Sequence, residues 1–238
     1  MKINSKTLAD FVKKVTINGA IPDGMLKFQS DGLVITVNDV SRIGAVSGFL
    51  KSSNFIEYSQ MNVPVKSFTT LISVLNSMAG NVSLSIDKNI FRIISDSNAF
   101  DMIMPDEQFL ECNLAELPTL GHDGGFELDG NFWTTVKKNT QILGTTKIGV
   151  VAEVKSNVFY VRTGEEGFDK GTANIAVDYK DVSARYGPTF LEFISVMSGK
   201  LFVSFNNNYP MLITSKDADS MIRWMIAPIV ETPDEATT

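Results

Sequence analysis

The chain has 238 residues, 44% hydrophobic and 20% charged. That balance can bury a core and is too apolar for a disordered chain. No apolar run approaches the ~20 residues of a membrane span. The start, MKINSKTLADF, lacks the apolar core of a secretory signal, so a soluble cytosolic or nuclear protein is expected. One Cys, Cys112, and one His, His122, exclude an intrachain disulfide, a Cys-based zinc site and a His cluster. A net charge of −6 argues against nucleic acid as a partner, unless a basic face sits on an acidic body.

In chain order, Ser5–Asn18 reads as an amphipathic helix. Leu8, Phe11, Val12 and Val15 form its stripe, Lys6, Asp10, Lys13 and Lys14 lie opposite, and Ser5 is the expected N-cap. Leu33–Val37 and Ile43–Leu50 read as strands. Pro64–Ser77 reads as a second helix that starts at Pro64 and has Phe68, Leu71, Ile72 and Leu75 in its stripe. Strands are expected at Val82–Ile86, Phe91–Ile94 and Phe100–Met104. The segment 105–125 reads as an exposed crossover linker, with Phe109, Leu110, Leu114, Leu117 and Leu120 as its buried-looking residues.

The second half repeats the order. Phe132, Val136, Thr140 and Leu143 mark a helix. Ile148–Val154 and Val158–Arg162 are strands joined by a turn at Lys155–Asn157, and Thr172–Tyr179 is another strand. Pro188–Ser198 is a helix, and Leu201–Phe205, Met211–Thr214 and Ile222–Ala227 are strands. Individual residues recur as well. Val12-Lys13-Lys14 returns as Val136-Lys137-Lys138 at an offset of 124, Phe68-x-x-x-Ile72-Ser73-Val74 as Phe190-x-x-x-Ile194-Ser195-Val196 at 122, and Met102-Ile103-Met104-Pro105 as Met225-Ile226-Ala227-Pro228 at 123. This is a whole-domain duplication, since the period far exceeds the ~20–50 residues of solenoid repeats. The expected divisions are an N-terminal domain 1–107, a linker 108–125, a C-terminal domain 126–231 and a tail 232–238. The fold class is α+β, with two helices packed on antiparallel sheet in each domain.

No catalytic motif is present: no GxGxxG, P-loop, GxSxG or HExxH. His122 reads as an exposed linker residue and Cys112 as a small linker side chain. No enzyme activity, cofactor or metal is expected. The repeated Lys pairs carry the functional signal. A charged helix face is usually only solvated, but its recurrence in both halves of an acidic chain suits a phosphate backbone contacted without base reading.

Met221-Ile222-Arg223-Trp224-Met225-Ile226-Ala227-Pro228-Ile229-Val230-Glu231 is similar to the C-terminus of the sliding clamps of DNA replication, of the proliferating cell nuclear antigen (PCNA) type. Asp31-Gly32-Leu33 through Asp39-Val40-Ser41-Arg42-Ile43 resembles the first hairpin and central loop, and Phe49 to Phe55 the strand and turn that follow. A phage, viral or archaeal member fits the divergence, in the cytoplasm of the host cell, or in the nucleus of a eukaryote.

The resemblance implies a homotrimeric ring of six domains around duplex DNA, tethering a polymerase without catalysis. Lys6, Lys13, Lys14, Lys66, Lys137 and Lys138 would face the DNA. A groove for short motifs of the polymerase, the clamp loader and other replication or repair proteins would be built by Val40 and Ser41, by Leu117, Pro118 and Leu120, and by Ala227, Pro228, Ile229 and Val230. Subunits would meet through Phe100, Met102 and Met104 on one side and Ile175, Val177 and Tyr179 on the other. The alternative is a non-clamp scaffold, for example a virion component, with solvated Lys faces.

Overall fold

The computed structural model describes residues 1–143, 149–164 and 169–229. These fall into two compact units: Met1–Pro118 with Lys216–Arg223, and Thr119–Ser215 with the chain from Trp224. The division falls inside the segment read as linker, and an eight-residue stretch late in the chain groups with the first unit. Val230 and the expected tail 232–238 lie outside the described residues.

The first unit contains β1 (Lys2–Asn4), α1 (Ser5–Val15), β2 (Gly24–Phe28), β3 (Gly32–Asn38), β4 (Gly44–Lys51), β5 (Phe55–Glu57), β6 (Met61–Val65), α2 (Phe68–Ser77), β7 (Asn81–Asp87), β8 (Ile90–Ile94) and β9 (Ala99–Ile103). Its sheet orders are β5-β1-β7-β8-β9 and β4-β3-β2-β6. The second unit contains β10 (Phe126–Asp129), α3 (Gly130–Leu143), β11 (Gly149–Lys155), β12 (Val158–Gly164), β13 (Gly171–Ala176), β14 (Val182–Tyr186), α4 (Thr189–Ile194), β15 (Lys200–Ser204) and β16 (Met211–Lys216). The last strand, β17 (Ser220–Ile226), begins in the segment that groups with the first unit. The second unit's orders are β13-β12-β11-β14 and β10-β15-β16. Matching elements pair alike in both units, so the duplication is one of topology: β4-β3-β2-β6 corresponds to β13-β12-β11-β14, and β1-β7-β8 to β10-β15-β16.

One stripe holds each first helix down. α1 buries Leu8, Ala9, Phe11, Val12 and Val15 and packs on α2, which buries Phe68, Leu71, Ile72, Val74 and Leu75. α3 buries Phe132, Trp133 and Val136. The second unit fills its core with rings: Phe159 meets Phe126 at 5.0 Å, Phe132 at 5.4 Å and Phe205 at 5.9 Å, and Trp133 meets Phe190 at 5.7 Å. Edge-on and tilted rings add attraction beyond their buried area.

Several elements differ from the sequence expectation. The N-cap of α1 is Asn4, whose Oδ1 accepts from the Lys6 and Thr7 N–H groups at 3.1 and 3.2 Å; Ser5 is buried and donates to the Met78 carbonyl. The helix stops at Val15 because Ile17 and Asn18 take left-handed conformations, φ 53° and 56°. Pro64 does not start a helix. It lies in β6, which pairs on one side only, with β2, and such an edge tolerates a missing N–H. α2 starts after the true cap, Ser67, which accepts from the Thr70 N–H at 3.2 Å.

In the second unit α4 spans only Thr189–Ile194, because the chain beyond it tightens into i→i−3 bonds, Ser195 N–H to Glu192 O and Met197 N–H to Ile194 O. β13 runs to Ala176, and the Val177 N–H adds one more bond to the Asn157 carbonyl at 2.8 Å in the register that pairs Val158 with Ala176, so the expected strand is shorter at its C-terminal end. The turn at Lys155–Asn157 is a two-residue hairpin connection, with Ser156 and Asn157 both left-handed.

The linker's start is not an exposed crossover. Cys112 is buried, its N–H donates to Asp23 Oδ1 at 2.9 Å, and its carbonyl accepts from the Asn38 N–H. The Leu114 N–H donates to the Thr36 carbonyl. Residues 112–114 thus run antiparallel along the end of β3, beyond the stretch at Leu33 and Val34 that faces β2. Phe109, expected inside, is 68% exposed.

A glycine sets the distance between α1 and its sheet. A Cβ on Gly48 in β4 would overlap the Val15 side chain and lie 2.9 Å from the Phe11 ring. We expect Gly48→Ala to destabilise the protein by about 1–3 kcal/mol through overpacking, read as a lower urea midpoint at unchanged m-value.

Candidate functional site

The described helices segregate charge. They carry five lysines (Lys6, Lys13, Lys14, Lys137, Lys138) against Asp10 and Glu192, a balance of +3. The rest of the chain, at −6 overall, therefore carries −9. The lysines lie opposite the buried stripes because an ammonium cannot replace Leu8 or Val136 in the core without a large desolvation cost. Lys6 and Lys13 line a polar cleft of about 420 Å³ with Asn4, Asp10 and Asn76, between the start of α1 and the end of α2.

The first lysine of each repeated pair has a structural partner. Lys13 Nζ donates to Asn76 Oδ1 at 3.3 Å, next to the end of α2, and lies 4.0 Å from Asp10. Lys137 Nζ donates to the Ser195 carbonyl at 2.8 Å, just past α4. In both units this lysine crosses to the C-terminal end of the second helix, where a cation meets the negative end of the macrodipole. Desolvation holds the Lys137 ammonium below the usual lysine range. Lys6 and Lys138 are exposed. Lys66 stands apart. It is not on the second helix but precedes the cap Ser67, so it sits at the opposite end of α2 from Asn76, about 12 Å away along the helix. It lines an apolar groove of about 380 Å³ with Pro64, Met102, Ile103 and Met104.

The residues assigned to a partner groove occur in both units. In the first, Asp39 organises the loop after β3: its carboxylate accepts from the Ser41 N–H at 3.2 Å, from the Ser41 hydroxyl and from the Gly44 N–H at 2.6 Å. Arg42 is left-handed at φ 58°. This Asx-type turn leaves Val40 64% exposed with Ser41 exposed beside it. Leu117 is half-buried and Pro118 exposed. In the second unit Leu120, Ala227 and Pro228 are half-buried and Ile229 is exposed. The Ile229 N–H donates to the Arg185 carbonyl at 2.7 Å, which fixes the chain beside β14.

Two end strands carry the remaining candidates. β9 closes one end of the first unit's five-stranded sheet and exposes Phe100 and, at 78%, Ile103, with Met102 and Met104 half-buried. β13 closes one end of the second unit's four-stranded sheet and carries half-buried Ile175. Val177 and Tyr179 lie past this strand. Tyr179 packs on its own unit, 5.3 Å from the Phe126 ring, with its hydroxyl donating to the Phe205 carbonyl at 2.9 Å.

His122 is not an exposed linker residue. It is half-buried, its ring meets Tyr209 edge-on at 5.4 Å, and desolvation lowers its pKa despite Asp123, which pairs with Lys180 at 3.1 Å. Burial pushes the Cys112 thiol up to about 11, far from a reactive thiolate. Sequence reasoning missed Asn76 and Ser195, the lysine acceptors, because only helix pairing brings them near. It also missed the basic group Arg162, Lys170 and Arg185, which only strand register brings together.

No family model and no curated protein matches the chain. Solved structures do. A proliferating cellular nuclear antigen from Entamoeba histolytica superposes with a TM-score of 0.80 at 16% identity, covering 96% of this chain and 98% of that one. A. fulgidus PCNA, solved with the C-terminal region of FEN-1, gives 0.79 at 13% identity, covering 98% of each chain. The PCNA2–PCNA3 complex from Sulfolobus tokodaii gives 0.72 at 16% identity, covering 96% of this chain and 99% of that one. The fold is that of the PCNA sliding clamps. The sliding-clamp fold spans the whole chain, both repeats included, in agreement with the resemblance read from the sequence.

Within this sliding-clamp fold the two lysines of a pair should separate experimentally. Lys137→Ala removes a charged hydrogen bond at the end of α4 and should cost about 1 kcal/mol. Lys138→Ala should stay within about 0.5 kcal/mol of the parent protein. Thermal melts of the two variants check this.

Proposed function

We propose that the chain is the subunit of a DNA sliding clamp: a closed homotrimer that encircles duplex DNA and tethers a DNA polymerase, without catalysis. The observation that carries this reading is charge segregation on a two-repeat clamp fold. The helices hold +3 on a chain of −6, in the elements that the clamp geometry turns toward DNA. A ring works by topology, so weak, sequence-blind phosphate contacts suffice. Such contacts release counterions and are salt-sensitive.

Ring closure would use the two end strands. β9 of one subunit would pair with β13 of the next, covering Phe100 and Ile103 and completing both sheets. A head-to-tail contact of this kind gives a ring when its rotation closes. The pocket for partner motifs would combine Val40 and Ser41, Leu117, Pro118 and Leu120, and Ala227 to Val230. The A. fulgidus neighbour was solved with a partner's C-terminal region bound, which supports peptide capture here. The partners are the polymerase, a clamp loader and other replication or repair proteins with short motifs. The site of action is wherever that DNA is copied: the cytoplasm of a bacterial or archaeal cell, or a nucleus.

Sedimentation of the parent protein should give a trimer, near three times 26.1 kDa. Ile175→Pro removes an amide and adds a clash one residue before the end of β13, so this variant should sediment as a monomer. A monomeric parent would return the chain to the scaffold reading, and a trimeric Ile175→Pro variant would exclude β13 from the interface. Lys6→Ala with Lys138→Ala should leave the trimer intact and slow loading on a primed circle. It should also flatten the log–log salt dependence by about 0.9 for each phosphate no longer neutralised. Unchanged loading and slope would remove these lysines from the DNA path.

A further inference from the structure

We propose that His122 is an acid-released latch: its neutral imidazole holds residues 119–125 against the second unit, and protonation lets them go. The latch and its partners belong to that one unit, so the inference does not rest on the clamp reading.

The segment forms no helix or strand before β10, so side chains must hold it. Three contacts do. The His122 ring meets Tyr209, in the connection between β15 and β16, edge-on at 5.4 Å. Asp123 pairs with Lys180 at 3.1 Å, and the Gly124 carbonyl accepts from the Tyr179 hydroxyl at 3.4 Å; both partners lie between β13 and β14. The three are unequal. The ion pair is exposed, at 46% and 80%, and such pairs contribute little. The Tyr179 hydroxyl has a shorter bond to the Phe205 carbonyl, at 2.9 Å, so it loses little when Gly124 leaves. Thr119, Gly121, Asp123 and Gly124 are exposed. The half-buried His122 ring is therefore the polar side chain that the segment commits to the unit.

That ring is badly placed to carry charge. Its Nδ1 and Nε2 are both shielded from solvent, and neither has a hydrogen-bond partner among the described residues. A neutral imidazole leaves one donor and one acceptor unmet there, whereas an imidazolium would bring a second unmet donor and a charge. The charged groups that face it oppose each other. Asp123 favours the proton, Lys180 disfavours it, and the two are paired. The phenols of Tyr209 and Tyr179 bring no charge to balance it. Desolvation is the largest influence and holds the His122 pKa below the usual histidine value. A freed histidine takes up its proton near pH ~6.5, and the docked ring only at a lower pH. Docking is thus at full strength above that value. It weakens by up to about tenfold for each pH unit below it, until the docked ring is protonated as well. Release frees Leu120, which was assigned above to partner capture; that consequence alone rests on the clamp reading.

The test uses the full chain with a nitroxide spin label on Gly121→Cys, where an added Cβ meets nothing within 4 Å. Cys112 is buried, with a raised pKa, and does not compete for the label. The label should be held at about pH 7.5 and become reversibly mobile toward about pH 5, a range in which ordinary carboxylates keep their charge. His122→Phe keeps a ring on Tyr209 and has no proton to gain, so its label should stay held at both ends of the range. His122→Ala should leave the label mobile at both. The chain has one histidine, so a single imidazole C–H resonance reports its titration in the unlabelled parent protein. The midpoint should fall below ~6.5. A midpoint at or above that value overturns the proposal, and this measurement decides even where circular dichroism shows a variant to be unfolded. A label equally mobile at both ends of the range in the parent sequence also overturns it. So does a folded His122→Phe variant that keeps the acid response, since the proton would then bind elsewhere.

Discussion

Each helix pair is held to its unit by one apolar stripe, and this one-sided burial decides where the charged residues can point. Leu8, Phe11, Val12 and Val15 lie in the first unit's core, and Phe132, Trp133 and Val136 in the second's. Burying such side chains contributes about 1.5–3 kcal/mol each. Turning either helix over would expose them and bury lysines at a cost of several kcal/mol per ammonium. The basic faces of α1 and α3 are therefore consequences of the core. Gly48 shows how closely this is set, because it lets Phe11 and Val15 approach the sheet backbone itself.

Much of this was legible in the sequence because it is local. The stripes of α1 and α2, the alternation in β7, and the recurrence of Phe-x-x-x-Ile-Ser-Val all depend on residues a few positions apart. The likeness to PCNA structures at 13–16% identity, over 96–98% of the chain, agrees with the short patches Asp31–Ile43, Phe49–Phe55 and Met221–Glu231 that carried the resemblance. What failed depends on distant partners. Pro64 looked like a helix start because nothing in the sequence says that β6 is an edge. β2 was missed because it is buried almost continuously and shows no alternation. Cys112 looked like linker because its burial depends on Asp23 and Asn38.

The repeated Lys-Lys motif changes meaning once its neighbours are known. Repetition alone suggested a shared ligand, yet Lys13 and Lys137 each bind the end of a neighbouring helix. A duplicated fold preserves such a structural brace as readily as it preserves a binding residue. The functional weight thus moves to the exposed lysines, Lys6 and Lys138, and to the overall charge balance of the helices. Glu192 on α4 makes that balance unequal between the units, +2 on the first pair and +1 on the second.

The open strand β9 has a consequence for the life of the protein before it reaches any partner. A newly made chain presents an unpaired backbone flanked by Phe100 and Ile103, a surface on which other nascent chains can nucleate. For the ring proposed above, safety is then a matter of kinetics: productive encounter has to outrun off-pathway pairing. The abundance of the chain while it is being synthesised becomes a determinant of yield, so slow or dilute expression would favour the orphaned form, and the quality-control machinery of the cell would meet that form first.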